Sequence, residues 1–406
     1  MNFEPQVLFH QLPLIAKFAV IFGLIVVLPR VAEHVGLPGV LGVLLGGVLL
    51  GPAVLGLLNP EGKAIELFAE LGKLLLMFFA GYEINLSQLR RSGARAAVFG
   101  VLTCILPLAL GFAVARAFGY STNAALLVGS LLASHTLLGL PIVRQLGLLD
   151  CDAVVLTIVA TIITDISAML ILAVTVSVHT AGFSPAHLAT TLVGIGIYVP
   201  VVVFGLSTFT RWVYARTRLP EFRLGVIIAM IAIAASLAET IELEGIVGAF
   251  LTGIAVKRAV GENPVTDSLR TISETLFIPA FFLATGFLVD FKLLAETITH
   301  HASLVAGIVG GLVLAKYLAA RVAGMLFKIE RDEVRLMWGL TLPQVAATLA
   351  AATVAYRAAS PDGSTLIDEK MLNTVVVLVI ASSILGPVLT RRFGVRVSEH
   401  SHRPAA

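Results

Sequence analysis

AVVLTIVATIITDISAMLILAVTVSV, residues 153–178, contains a single charged side chain, Asp165, near its centre. An apolar helix of about 20 residues crosses the hydrocarbon of a bilayer, and this run is longer than that. A carboxylate at the midpoint costs at least roughly 2.5–3.5 kcal/mol on insertion scales, so it needs a partner or a function. The default reading of such an acid is an ion or proton site inside a membrane transporter.

The rest of the chain agrees. Of its 406 residues 58% are hydrophobic and only 13% charged, with a mean hydropathy of +0.97. A soluble chain carries about twice that charged fraction. Apolar stretches recur from end to end and predict an all-α polytopic membrane protein with about 13 transmembrane helices. The expected spans are 13–30, 36–53, 64–84, 94–116, 122–144, 153–178, 187–210, 223–238, 243–257, 271–289, 302–327, 334–356 and 371–390. Residues 1–390 then form one transmembrane domain and 391–406 a short cytoplasmic tail. With the N-terminus outside, twenty Lys and Arg fall in cytoplasmic loops and the tail, and only Lys63, Arg116, Lys292, Arg357 and Lys370 fall outside. Basic residues concentrate on the cytoplasmic side, so this bias predicts N-outside and C-inside, in the cell's inner or plasma membrane. It also accounts for the net charge of +3 without a nucleic-acid surface. The first span carries Lys17 and lacks a small-residue cleavage pattern, so it reads as a retained helix. Cys104 in a span and Cys151 in a loop are poorly placed to pair.

Two segments recur. Leu41–Val48 (LGVLLGGV) aligns with Val247–Ile254 (VGAFLTGI), placing Gly42 on Gly248 and Gly47 on Gly253. Phe78–Asn85 aligns with Leu283–Asp290, placing Gly81 on Gly286. Spans 2 and 3 thus match spans 9 and 10. The odd offset of seven gives the copies opposite orientation, so spans 2–6 and 9–13 are expected to be inverted-topology repeats. Span 5 carries Ser134-His135-Thr136, Gly139 and Pro141 at mid-depth, and span 12 carries Thr341, Pro343 and Gln344. Proline removes a helix hydrogen bond and frees a carbonyl, so both spans are expected to break, in corresponding places of the two repeats.

With these pieces the chain resembles the monovalent cation:proton antiporter-2 family, which includes the bacterial Kef-type and Nap-type exchangers. The resemblance covers nearly the whole chain. It rests on Leu37-Pro38 through Gly51-Pro52, Glu70-Leu71-Gly72 through Tyr82-Glu83, Ser134-His135-Thr136, Asp165, Gly248 through Gly253, and Phe281-Phe282 through Gly286 and Asp290. It implies thirteen helices, two crossed broken helices in a core domain, a homodimer and elevator-like alternating access. Electrogenic members carry Asp-Asp where this chain has Thr164-Asp165. Kef-type members often add a nucleotide-binding domain after the last helix; no Gly-rich nucleotide fingerprint follows Thr390 here, so no nucleotide-binding regulatory domain is expected in this chain. The stretch from Leu342 to Ala347 also departs from the more usual Gly-Glu pattern.

Na⁺ and K⁺ are hard cations that take oxygen ligands, and a carboxylate binds either a cation or a proton. Asp165 is therefore the expected cation and proton site, the alternative being a structural acid paired to Lys316 or capping a helix break. Thr164 offers a hydroxyl ligand or bonds back to its own helix. Ser134 and Thr136 offer hydroxyl or carbonyl oxygens from the break in span 5. His135 is either a second titrating group or an ordinary hydrogen-bonded histidine. In related Asp-Asp exchangers a lysine on span 11 pairs with the first Asp; here Lys316 pairs with Asp165, caps a broken helix, or carries a proton. Glu66, Glu70 and Lys73 share a helix face and read as an outer Glu–Lys pair. Glu239, Glu242 and Glu244 form an outer acidic loop that is either solvated or draws cations inward.

One titrating carboxylate predicts exchange of one H⁺ for one Na⁺ or K⁺, an electroneutral antiport that needs no cofactor besides the transported ions. The alternatives are an electrogenic Na⁺/H⁺ antiporter, a channel-like K⁺ efflux pathway, or a sensor without turnover. No nucleophile–base set or metal-ligand cluster stands outside this pathway, which points away from an enzyme.

Overall fold

The computed structural model describes residues 12–34, 39–51, 54–57, 63–83, 86–180, 185–241, 243–287, 291–359 and 363–401. Among them the regular elements are all helical, and β pairing is confined to one bridge between Ala359 and Thr365. Seven helices are long and apolar enough to cross a membrane. The remaining spans are short or interrupted, as a transporter with broken helices requires.

The first half of the chain contains α1 (Leu14–His34), α2 (Gly39–Leu50), α3 (Lys63–Glu83), α4 (Leu86–Ala117), α5 (Thr122–Ala133), α6 (Leu140–Gln145) and α7 (Asp152–Thr180). Next come α8 (Pro185–Pro200) and α9 (Leu206–Arg216), joined through a π turn at Val201–Gly205, and then α10 (Pro220–Glu239). The second half contains α11 (Gly245–Val260), α12 (Pro264–Ile272) and α13 (Ile278–Gly286), the last two joined by a π turn at Ser273–Phe277. It ends with α14 (Phe291–His300), α15 (Ala302–Phe327), α16 (Arg331–Thr341), α17 (Ala346–Arg357) and α18 (Glu369–Ser401). Both π turns adjoin a proline, Pro200 or Pro279, whose missing N–H and ring clash disturb the α ladder.

The glycine matches correspond to helix crossings. A β-carbon on Gly47 of α2 would overlap the Leu283 carbonyl of α13, and one on Gly286 would overlap the Leu44 carbonyl of α2. In the other pair, Gly253 of α11 meets the Phe78 carbonyl of α3, and Gly81 meets the Phe250 carbonyl of α11. Each residue here is the counterpart of the one the sequence alignment assigns it. The first helix of each repeat therefore packs on the second helix of the other, backbone to backbone, which only glycine permits. Gly42 against Leu28 and Gly248 against Ala234 repeat the relation one helix out. Gly253→Ala is expected to destabilise the protein by about 1–3 kcal/mol through overpacking. Gly225→Ala, with open space around it, is expected to be neutral or stabilising; thermal unfolding in detergent compares the two.

Around these crossings lies one apolar cluster rich in aromatics, including Phe78, Phe79, Tyr82, Phe250, Phe281 and Phe282. A second cluster joins α5, α15, α17 and α18 through Leu127, Leu132, Leu312, Ala352 and Leu378. The first joins a scaffold of α1–α3 and α10–α13 and runs on to the core side through Leu140, Val154, Leu340 and Phe393. The second belongs to a core of α4–α7 and α15–α18, which holds both breaks.

Two features differ from the sequence expectation. The residues expected as a tail from 391 continue α18 to Ser401, because Phe393 and Val397 are apolar and bury beneath α6, where Ser398 Oγ donates to Leu146 O at 3.4 Å. An additional short helix, α14, lies between spans 10 and 11. Cys104 and Cys151 are both free thiols. Burial and the Glu333 carboxylate, 3.6 Å from Sγ, push the Cys151 thiol up to about 11, so it stays protonated at neutral pH.

Candidate cation and proton site

α5 stops at Ala133 and α6 resumes at Leu140 with Pro141 in its first turn, after Gly139. α16 stops at Thr341 and α17 resumes at Ala346, with Pro343 and Gln344 between. The two gaps cross: Thr136 N–H donates to Pro343 O at 2.8 Å. Gly139 lies against Thr390 and Leu340, leaving no room for a side chain. Pro141 suits a helix start, where its missing N–H has no partner to lose.

α7 passes this crossing at its midpoint, where Asp165 is 4% exposed. Its Oδ1 accepts the Ser134 hydroxyl at 2.6 Å, and the carboxylate also accepts the His135 backbone N–H. Both donors are neutral and come from the break in span 5. The structure thus brings Ser134 and Asp165 together as ligand candidates. Thr136 contributes its backbone N–H to the crossing, with a half-buried side chain.

Thr164 and His135 point elsewhere. Thr164 Oγ1 donates to Thr161 O at 2.9 Å on its own helix and lies 3.3 Å from His135 Nδ1. His135 Nε2 meets Thr161 Oγ1 at 3.0 Å. The imidazole is therefore flanked by two hydroxyls of α7 whose own protons go to Thr161 O and Thr157 O, so that a neutral ring donates to one of them.

Lys316, wholly buried in α15, sits at the broken end of α5. Its ammonium donates to Ala133 O at 2.6 Å and to Thr103 O at 3.1 Å. A helix C-terminus carries orphan carbonyls and partial negative charge, so a cation belongs there. Its charge also acts on Asp165, but no Lys316–Asp165 pair stands among the ion pairs of the described residues. Of the three alternatives open in the sequence, the geometry favours the helix-break cap. Gln344 caps the same break, since its side-chain amide donates to Ser134 O and, at 3.4 Å, to Leu132 O. The freed carbonyls that sequence reasoning offered to a cation are thus largely taken by side chains.

Further out, Glu70 and Lys73 form the ion pair expected on α3, at 2.9 Å. Glu242 lies outside the described residues. Glu244 was read as part of a loop, yet its Oε1 is fully enclosed without a hydrogen bond and its charge acts on Asp165. At the opposite end of the bundle, Arg144 of α6 lies 2.9 Å from Glu83 of α3 and pairs with Glu274. Arg270 adds a 3.0 Å contact to Glu83. This network spans core and scaffold. Sequence reasoning treated Arg144 and Arg270 only as loop charges; the available signal was that Glu83 closes span 3 on the same side.

Residues 19–393 match the family model described as sodium/hydrogen exchanger, transmembrane. The Na⁺/H⁺ antiporter NhaS5 of Synechocystis sp. is 42% identical over 386 residues, 95% of this chain and 55% of that protein. The chain thus spans about half the length of that relative. The Na⁺/H⁺ antiporter of Enterococcus hirae is 26% identical over 404 residues, covering 94% of this chain and 99% of that protein. A solved structure of the sodium proton antiporter MjNhaP1 from Methanocaldococcus jannaschii superposes with a TM-score of 0.74 at 14% identity, covering 97% of this chain and 100% of that one. That likeness concerns the fold.

Proposed function

The chain belongs to the transmembrane sodium/hydrogen exchanger family, and from that premise we propose that it exchanges one H⁺ for one Na⁺ or K⁺ through Asp165. The observation that carries this reading is an enclosed carboxylate whose hydrogen-bond donors, Ser134 Oγ and His135 N, are both neutral. An ionised carboxylate left alone in a low-dielectric site is disfavoured by several kcal/mol, so the site favours an occupant, proton or cation. The two compete for one charge. A core that crosses only when Asp165 is occupied couples the fluxes, and each crossing carries the same net charge. Exchange is therefore electroneutral. Ser134 Oγ keeps lone pairs free for a cation while its proton stays on Asp165.

The N-terminus is proposed outside and the C-terminus cytoplasmic, on the strength of the loop charges. A homodimer is proposed from the family resemblance, with the exposed apolar surface around Val193, Ile197, Val201 and Phe204 available to lipid or a second copy.

Proteoliposomes loaded with a pH-sensitive dye test this function. An outward or inward cation gradient is expected to drive proton movement, with Na⁺ and K⁺ series giving the selectivity. Cation flux without proton movement would sink antiport and favour a channel-like pathway. Absence of any flux would favour a sensor.

Alternating access also requires the Arg144 bridge to open, because Arg144 rides on the core and Glu83 and Glu274 on the scaffold. Arg144→Ala is expected to lower stability by roughly 1–3 kcal/mol, as hydrogen bonds to a charged group are lost while Arg270 remains beside Glu83. Turnover is expected to rise with an unchanged cation KM. A fall in turnover at unaltered thermal stability would count against the bridge as a restraint on motion.

A further inference from the structure

Gln344 is completely buried, and every polar group it owns is engaged. Its backbone N–H donates to Ser382 Oγ at 3.0 Å, and its carbonyl accepts the Ser383 hydroxyl at 3.1 Å. Its Oε1 accepts the Thr348 hydroxyl at 2.5 Å, while Nε2 donates to Ser134 O and Leu132 O. The amide orientation follows from its neighbours, since reversal would set Oε1 against two carbonyl oxygens. Ser134, held here by its carbonyl, is the residue whose hydroxyl reaches Asp165. Amide and carboxylate therefore grip opposite ends of one residue, across the two repeats.

We propose that Gln344 is a positioning residue for the cation: anchored in the break of span 12, it fixes Ser134 so that the hydroxyl meets Asp165 in the geometry that binds the ion. This rests on Asp165 being the exchange site. Gln344 touches neither ion nor carboxylate; it sets affinity through Ser134. The ionisable groups around the crossing are Asp165 on α7, Lys316 on α15 and His135 in the break of span 5, with Glu244 at the start of α11 acting on Asp165 from further out. None of them supplies the bonds that Nε2 makes.

Two substitutions read this out in the full-length protein in proteoliposomes. Gln344→Met keeps the volume and loses the donor. It is expected to raise the cation KM about tenfold at every pH with a smaller change in kcat, the scale of one hydrogen bond to a charged group. Gln344→Glu donates to Ser134 O only as the protonated acid, since the ionised form would face two carbonyl oxygens. Its KM is expected to approach wild type at acidic pH and to climb as pH rises. A merely structural role would lower folded yield or kcat without moving KM or bending the pH profile. Ser134→Ala, a small change that tests the same coupling if Gln344→Met fails to fold, is expected to raise KM similarly. Combining it with Gln344→Glu at high pH is expected to add little, as coupled residues behave. Wild-type KM and pH profile in both Gln344 variants, or full additivity with Ser134→Ala, overturns the proposal while wild-type exchange stands. Absence of exchange in the wild type would instead overturn the function itself.

Discussion

Asp165→Asn is expected to reduce cation-driven proton flux to the level of protein-free vesicles. The amide fills the same space and its oxygen still accepts the Ser134 hydroxyl, so the crossing keeps its shape. What disappears is the charge that binds a cation and the basicity that binds a proton. The neutral variant removes an enclosed carboxylate with no basic partner at bonding distance, so thermal stability is expected to match or exceed wild type. Loss of flux at retained stability separates a transport role from a structural one. The stoichiometry follows from the same residue. With a single carboxylate at the crossing, an imposed membrane potential is expected to leave the wild-type exchange rate unchanged. A variant that still pumps protons, or a wild-type rate that follows the potential, would refute the one-site mechanism.

Lys316→Met is expected to be the most destabilising single change in the core. It strips the donor from Ala133 O and Thr103 O, two buried carbonyls at a helix end and a helix interior. An unsatisfied buried acceptor costs about 1–3 kcal/mol, so a loss of roughly 2–6 kcal/mol is expected from the pair. Lys316→Gln retains donors on a shorter arm and is expected to recover about half of that loss. Its transport is expected to remain insensitive to an imposed potential, because the proposed one-site exchange assigns the transported proton to Asp165 and leaves position 316 at the broken helix end. Thermal unfolding in detergent measures the first effect, and exchange under a valinomycin-clamped potential measures the second. A stable Lys316→Met with altered stoichiometry would assign the ammonium to the proton cycle instead.

The positions of the helices were legible in the chain. Each expected span coincides with a helix, or a pair of half-helices, among the described residues, because a bilayer demands a fixed length of apolar sequence. The breaks at Ser134–Gly139 and Pro343–Gln344 were legible too, since proline and glycine act on their own backbone. The paired glycines were legible as repeat matches, and the tertiary structure showed them to be crossings. A contact between backbones tolerates no side chain, and that prohibition is written into both copies of the repeat.

The partners of the polar side chains were not legible. Thr164 lies next to Asp165 in sequence, yet it turns to Thr161 and His135. A hydroxyl on a helix chooses between its own carbonyls and whatever packs alongside. Lys316 meets Ala133 across 183 residues and Gln344 meets Ser134 across 210. Arg144 finds Glu83 only because α6 and α3 end on the same side of the membrane. The continuation of α18 past Thr390 depends likewise on α6 being there to cover Phe393 and Val397.

The chain by itself determined that Asp165 lies at the middle of an apolar span and that two other spans are interrupted, because hydropathy and backbone chemistry are local. Only the tertiary structure decided what surrounds that carboxylate: two neutral donors, a lysine committed to a helix end, and an amide bridging the repeats. Those choices depend on distances between segments far apart in the chain, and packing sets them.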